Sequence, residues 1–148
     1  MKLAWILWLA NLLPQPVADP LCLTTTLYLE ARDQSVAGQQ AVAEVALRRA
    51  ESGIWGDSVC ATVTAHKQFA PGFMHPGHRL KNAQAWQEAA EIAFARHYEW
   101  RLPAAERREL VPGASHFAAH DLVEPAWANH PVAVIGDHSF YRVMRLAP

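Results

Sequence analysis

Abundance is no guide to chemistry in this chain. It has two cysteines, Cys22 and Cys60, too few to hold a zinc ion by themselves. Thirteen lysines and arginines stand against fourteen aspartates and glutamates, a formal net charge of −1. That balance lacks the basic excess with which proteins hold nucleic acid, so no nucleic-acid partner is expected. HExxH is missing, which removes the helical zinc-peptidase signature. There is no internal repeat or low-complexity tract. No apolar run reaches the ~20 residues that a spanning helix needs. What is present is a chain of 148 residues, 51% of them hydrophobic, enough for one domain with a real core.

The first residues differ in kind from the rest. Lys2 precedes an apolar run, Leu3 to Leu13, and Pro14, Pro16 and Pro20 follow it. A short apolar segment behind one positive charge has the form of an export signal, and the prolines are expected to break any helix there. Residues 1–19 are therefore expected to be a signal peptide, cleaved after Ala18, or an N-terminal membrane anchor. Residues 20–148 are the expected catalytic domain. Export implies the periplasm or cell envelope, with transient membrane association before release. In an oxidising compartment Cys22 and Cys60 would pair. That closes a loop of roughly 40 residues, worth about 3–4 kcal/mol in the chain-entropy model. In a reducing compartment they would stay buried thiols.

Periodicity gives helices first. Leu21 to Arg32, LCLTTTLYLEAR, reads as a helix started by Pro20. Ser35 is placed to cap a second helix from Val36 to about Glu51, with a small-residue stripe of Ala41, Val42, Val45 and Ala46. That stripe is expected to pack on the first helix. Residues 57–64 form a short helical or extended piece, and 66–81 a long Pro/Gly/His loop. Asn82 caps a third helix whose stripe is Trp86, Ala90, Ala93, Phe94 and His97. Beyond Pro103 the pattern becomes extended. Ala114 to Ala119 reads as a strand, and Gly136-Asp137 as a hairpin turn between two more. The fold class expected is α+β, helices followed by a small antiparallel sheet.

The first of these helices carries the anomaly. It puts Leu23, Leu27 and Glu30 on one face. An ionised carboxylate on an apolar stripe is costly to bury. A raised pKa resolves the conflict, and a carboxyl kept protonated near neutral pH is a ready general acid. The plainer alternative is a helix-end carboxylate paired with Arg32 or another arginine.

The segment LYLEARDQSVAGQQAVAEVALRRA, from Leu27, resembles the opening of the SleB-like cell wall hydrolases, with its Tyr, Glu-Ala-Arg, Gly-Gln and Ala-Val-Ala. Further pieces follow in order: SVCATV, Gln68-Phe69, GASHFAAH from Gly113, Pro125 to Trp127, and IGDHSFYR from Ile135. The ordered set runs from about Leu21 to Arg142. Departures occur at Asp33-Gln34 (Gly-Glu in the family), at Arg48-Arg49 (Asn-Arg) and at Ala70 (Ser). The resemblance implies a lysozyme-like α+β domain with a groove between helices and sheet. It also implies a lytic transglycosylase acting on the MurNAc-GlcNAc bond of peptidoglycan glycan strands. In that reaction Glu30 protonates the leaving oxygen. It then helps the C6 hydroxyl of muramic acid attack its own anomeric carbon, leaving a 1,6-anhydro end. No cofactor or metal is needed, and a monomer is expected.

An oxocarbenium-like transition state wants polar contacts and aromatic walls. Tyr28, Gln68, Phe69, His116, Trp127 and Tyr141 are the candidate substrate-binding residues. For those in strands a core position is the alternative, because half of a strand's side chains face each way. Hydrolysis by a muramidase would require a second carboxylate. Asp33, Glu44, Asp57, Asp121 and Asp137 are available, and none is marked by pattern. A zinc amidase or peptidase would draw on His75 and His78, or on His116 and His120. The latter two would lie about 13 Å apart in a strand, too far for one metal. A non-catalytic wall-binding module would need the aromatic groove without the acid.

Overall fold

A computed structural model describes residues 1–65, 69–119, 128 and 130–143. Gln68, His120, Asp121 and Trp127 lie outside the described residues. Six helices come first: α1 (Leu3–Ala10), α2 (Gln15–Ala31), α3 (Val36–Ser52), α4 (Val59–Thr64), α5 (Ala70–Phe73) and α6 (Ala83–Glu99). Three strands follow: β1 (His116–Ala119), β2 (Ala133–Ile135) and β3 (His138–Tyr141). The class is α+β, as the pattern of the sequence implies.

The helix that carries Glu30 starts earlier than the sequence suggests. α2 opens at Gln15 rather than Pro20. Pro14 is its N-cap and Pro16 lies in its first turn, where a missing N–H is not needed. Pro20 sits inside the helix and costs it a backbone bond. Burial offsets the loss. Leu23, Leu27 and the three threonines Thr24, Thr25 and Thr26 are all fully buried. Each threonine hydroxyl donates to the carbonyl four residues back, on Pro20, Leu21 and Cys22. A run of middling helix formers is thereby buried without orphaned hydroxyls.

The prolines do not detach the N-terminal residues. Leu3, Leu7 and Ala10 of α1 join the core cluster. The Leu3 N–H donates to the His78 carbonyl and the Leu80 N–H to the Met1 carbonyl, so Lys2 and Arg79 form an antiparallel bridge. Ala18 and Asp19, at the boundary expected from the sequence, lie inside α2 and are buried. No helix among the described residues is long and apolar enough to cross a membrane.

α3 follows its sequence signals closely. The Ser35 side chain accepts the Gly38 N–H, and Gly53 closes the helix in the left-handed region at φ 73°. Ala41, Val42, Val45 and Ala46 are fully buried, and α3 packs against α2, α4 and α6. Cys22 and Cys60 are joined in a disulfide, with their Cα atoms 5.2 Å apart, tying α2 to α4. α6 begins at its expected cap, Asn82, but its buried stripe is turned from the expected one. Ala85, Ala89, Ala93 and Arg96 face inward, while Phe94 is exposed. Alanines allow α6 to lie close against α2, where a Phe94 ring would hold it off.

The sheet has the order β1-β3-β2, antiparallel throughout. Gly136 takes φ 58° in the hairpin turn, a conformation that favours glycine. Arg48 donates to the Ala114 carbonyl and Arg49 to the Ser115 carbonyl, so α3 holds the approach to β1. Glu44 reinforces this from below. It is fully buried and takes four partners: Arg48 at 3.0 Å, Arg96 at 3.2 Å, and the N–H groups of Leu110 at 2.8 Å and Val111 at 3.1 Å.

Candidate active site

Glu30 sits in the last turn of α2 and is half-buried. Its Oε1 accepts the N–H of Ala70, at the start of α5, at 2.6 Å. Burial pushes its pKa above the ordinary carboxyl range; the Ala70 hydrogen bond and the positive charge of Arg49 pull the other way without reversing it. The negative end of the α2 dipole also disfavours the ionised form. Glu30 is the one carboxyl among the described residues whose pKa is resolved as raised.

Arg49 comes to this carboxyl from α3. It is buried. Its Nε donates to the Ser115 carbonyl at 2.6 Å, and its guanidinium lies 4.7 Å from the Trp55 ring centroid and 4.9 Å from that of Phe69. Burial lowers its pKa to about 10, which still leaves it a cation at neutral pH. His116 of β1 stands beside the same group. Its ring is edge-on to Trp55 at 6.0 Å and its Nδ1 is 2.8 Å from the Ser115 hydroxyl. Burial first, then Arg49, lowers its pKa to about 4. His116 is therefore a neutral polar group at neutral pH. A half-buried acid, a fixed cation, a neutral imidazole and an indole thus meet where α2, α3, α5 and β1 converge.

A model of the cell wall hydrolase family matches residues 33–141. The chain belongs to that family, which is related to SleB. No curated protein and no solved structure matches it significantly. The hydrolase is thus an enzyme of peptidoglycan, and its target lies outside the cytoplasm, where a disulfide such as Cys22–Cys60 persists. Glu30 lies just ahead of the matched residues, so its role rests on its surroundings rather than on the match.

Of the other residues singled out in the hydrolase, some gather at the site and some do not. His116 and Tyr141 are direct cross-strand partners, so their side chains share one face of the sheet. Phe69 is buried, one residue before the N–H that meets Glu30, with its ring 6.0 Å from Phe117. Tyr28 is also buried, and its hydroxyl accepts the N–H groups of Lys81 and Asn82, both at 3.2 Å. It pins the start of α6 rather than presenting a free face. Gln68 and Trp127 fall outside the described residues. Arg49, Trp55 and the Ala70 N–H were not singled out by sequence. Arg48-Arg49 stands in the sequence only as a family departure, and a backbone N–H carries no residue signature at all.

The carboxylates available for a second role are also sorted. Glu44 is committed to its four partners. Asp33 and Asp137 both accept from the Gln34 amide on the surface, at 3.3 and 3.0 Å, one turn beyond Glu30. Asp57 is exposed beside α4. No cluster of three or more metal-ligating side chains is formed among the described residues, so none there provides a ligand set for the zinc reading.

Proposed function

We propose that this enzyme cleaves peptidoglycan glycan strands at the MurNAc-GlcNAc bond as a lytic transglycosylase, with Glu30 as its single acid and base. The observation that carries the reading is the half-buried Glu30 carboxyl, raised in pKa by burial and held at 2.6 Å by the Ala70 N–H. Protonated, it donates to the leaving oxygen. Ionised, it keeps the Ala70 hydrogen bond and the nearby Arg49 charge while it takes the proton of the C6 hydroxyl. Both forms are thus provided for by one set of neighbours. The polar and aromatic wall is drawn from His116, Tyr141 and Trp55, with Gln68, Phe69 and Trp127 as further contributors. Export to the periplasm or cell envelope belongs to the same reading.

Mass spectrometry of fragments released from purified peptidoglycan tests it. Fragments ending in 1,6-anhydromuramic acid are expected. Reducing ends would mean hydrolysis and direct attention to Asp33 and Asp137. Freed peptides with intact glycan would overturn glycan cleavage.

A further inference from the structure

We propose that the outward face of α1 docks on the surface of an anionic lipid bilayer. α1 is apolar on every side. Leu3, Leu7 and Ala10 face the domain. A turn of about 100° per residue places Trp5, Trp8 and Leu9 on the opposite side, and Leu12 continues that line past the helix end. These four are 58%, 62%, 48% and 65% exposed. An apolar helix covered on one side only leaves a face that calls for an apolar partner. With eight residues it is about 12 Å long, too short to cross a bilayer. It is long enough to lie along one, with its outer side chains about 5–10 Å into the headgroup boundary. Tryptophan is enriched at that depth.

Charge points to an anionic surface as the partner. The Lys2 ammonium stands 5.8 Å from the Trp5 ring centroid. The antiparallel bridge sets Arg79 beside Lys2, and Lys81 follows, exposed like Arg79. Three basic residues thus cluster at the head of α1. Asp19 and Asp57 are the acidic groups near its far end, lining a cleft with Asn11 and Leu13. Two copies packed with α1 parallel would bring the basic groups together, while an antiparallel pair would bring them to the acidic end of the other copy. An anionic bilayer would instead pair them with lipid phosphates, at about fivefold in affinity for each. None of this depends on the role of Glu30.

The test uses the full chain and co-sedimentation with large vesicles, either of phosphatidylglycerol with phosphatidylcholine or of phosphatidylcholine alone. The chain is expected to sediment with the anionic vesicles and much less with the neutral ones. Trp5→Ser combined with Trp8→Ser should lower the anionic partition by about tenfold or more. Lys2→Glu combined with Arg79→Glu should remove most of the preference for anionic lipid. Activity on isolated, membrane-free peptidoglycan should stay at the wild-type level in both variants, which reports that they fold. Wild-type protein left in the supernatant with both vesicles would overturn the proposal. So would an unchanged partition of the tryptophan variant. A dimer in sedimentation velocity that the tryptophan variant dissociates would assign the face to a second copy instead. A mature exported protein whose N-terminus begins beyond Leu13 would also overturn it.

Discussion

The Glu30 carboxyl and the Ala70 amide, forty residues apart in the chain, meet at 2.6 Å. The bond couples the last turn of a buried helix to the first residue of a short one. A carboxyl so held has one orientation in both protonation states, which suits a group asked to give a proton and take one back.

Replacing Glu30 by glutamine should leave the fold intact, because the amide oxygen can still accept the Ala70 N–H. Release of fragments from peptidoglycan should fall by at least about 10²–10³-fold. Activity within a few-fold of wild type would end the assignment.

The same variant carries a stability signature. A carboxyl whose folded pKa is raised contributes most below its unfolded value, and the contribution is lost as pH rises through the folded value. Burial raises Glu30, so ionising it at neutral pH costs stability. Glu30→Gln should melt higher than wild type at neutral pH and no higher in acid. Thermal melts at the two pH values would show whether the difference closes.

Activity should fall on the alkaline side as Glu30 loses its proton, at a pH above the ordinary carboxyl range. His116, held near 4, is neutral from about pH 5 to 8 and should contribute no limb there. A pH–rate profile of His116→Gln should therefore keep the wild-type alkaline limb, whatever its height. Movement of that limb would make His116 a titrating participant.

Arg49 is expected to act through Glu30 as a positioning residue. Arg49→Met removes the charge that lowers the Glu30 pKa, so the alkaline limb should shift to higher pH while the maximal rate drops. Arg49→Lys should restore the limb more than the melting temperature, because the Ser115 bond and the two ring contacts need a guanidinium. A lower melting temperature with an unmoved limb would make the residue purely structural.

The disulfide spans a separation of 38 residues, for which the chain-entropy model gives about 3–4 kcal/mol. Denaturant unfolding with and without reductant should show a loss of that order. Activity should fall with it, since α4 leads toward the α5 residue that meets Glu30. An unchanged midpoint would remove the disulfide from the stability argument.

Most of the framework was legible. Ser35, Gly53, Asn82 and Gly136-Asp137 are local signals acting over a few residues, and each works where the sequence puts it. The α+β order follows from the change of period after Pro103. Two things were not legible, for the same reason. Pro20 reads as a helix start, and Phe94 as part of a buried stripe. Tertiary packing decides both: burial on several sides sustains α2 through Pro20, and an alanine face brings α6 closest. At the site, Glu30 could be found as a charge on an apolar stripe. Arg49 could not, because what distinguishes it is a set of neighbours from α2, β1 and the segment before α5. Glu44 shows the opposite hazard: as a sequence it is a free carboxylate, and in the fold it has four partners.

β3 lies between β1 and β2, and it is the last of the three to be synthesised. Until Tyr141 emerges, His116 has no strand beside it and β2 has no neighbour to pair with. The helical half, with Glu30 and its disulfide, can assemble first. The sheet face that carries His116 and Tyr141 is completed only when β3 is made, well after Glu30 and its neighbours in the helical half.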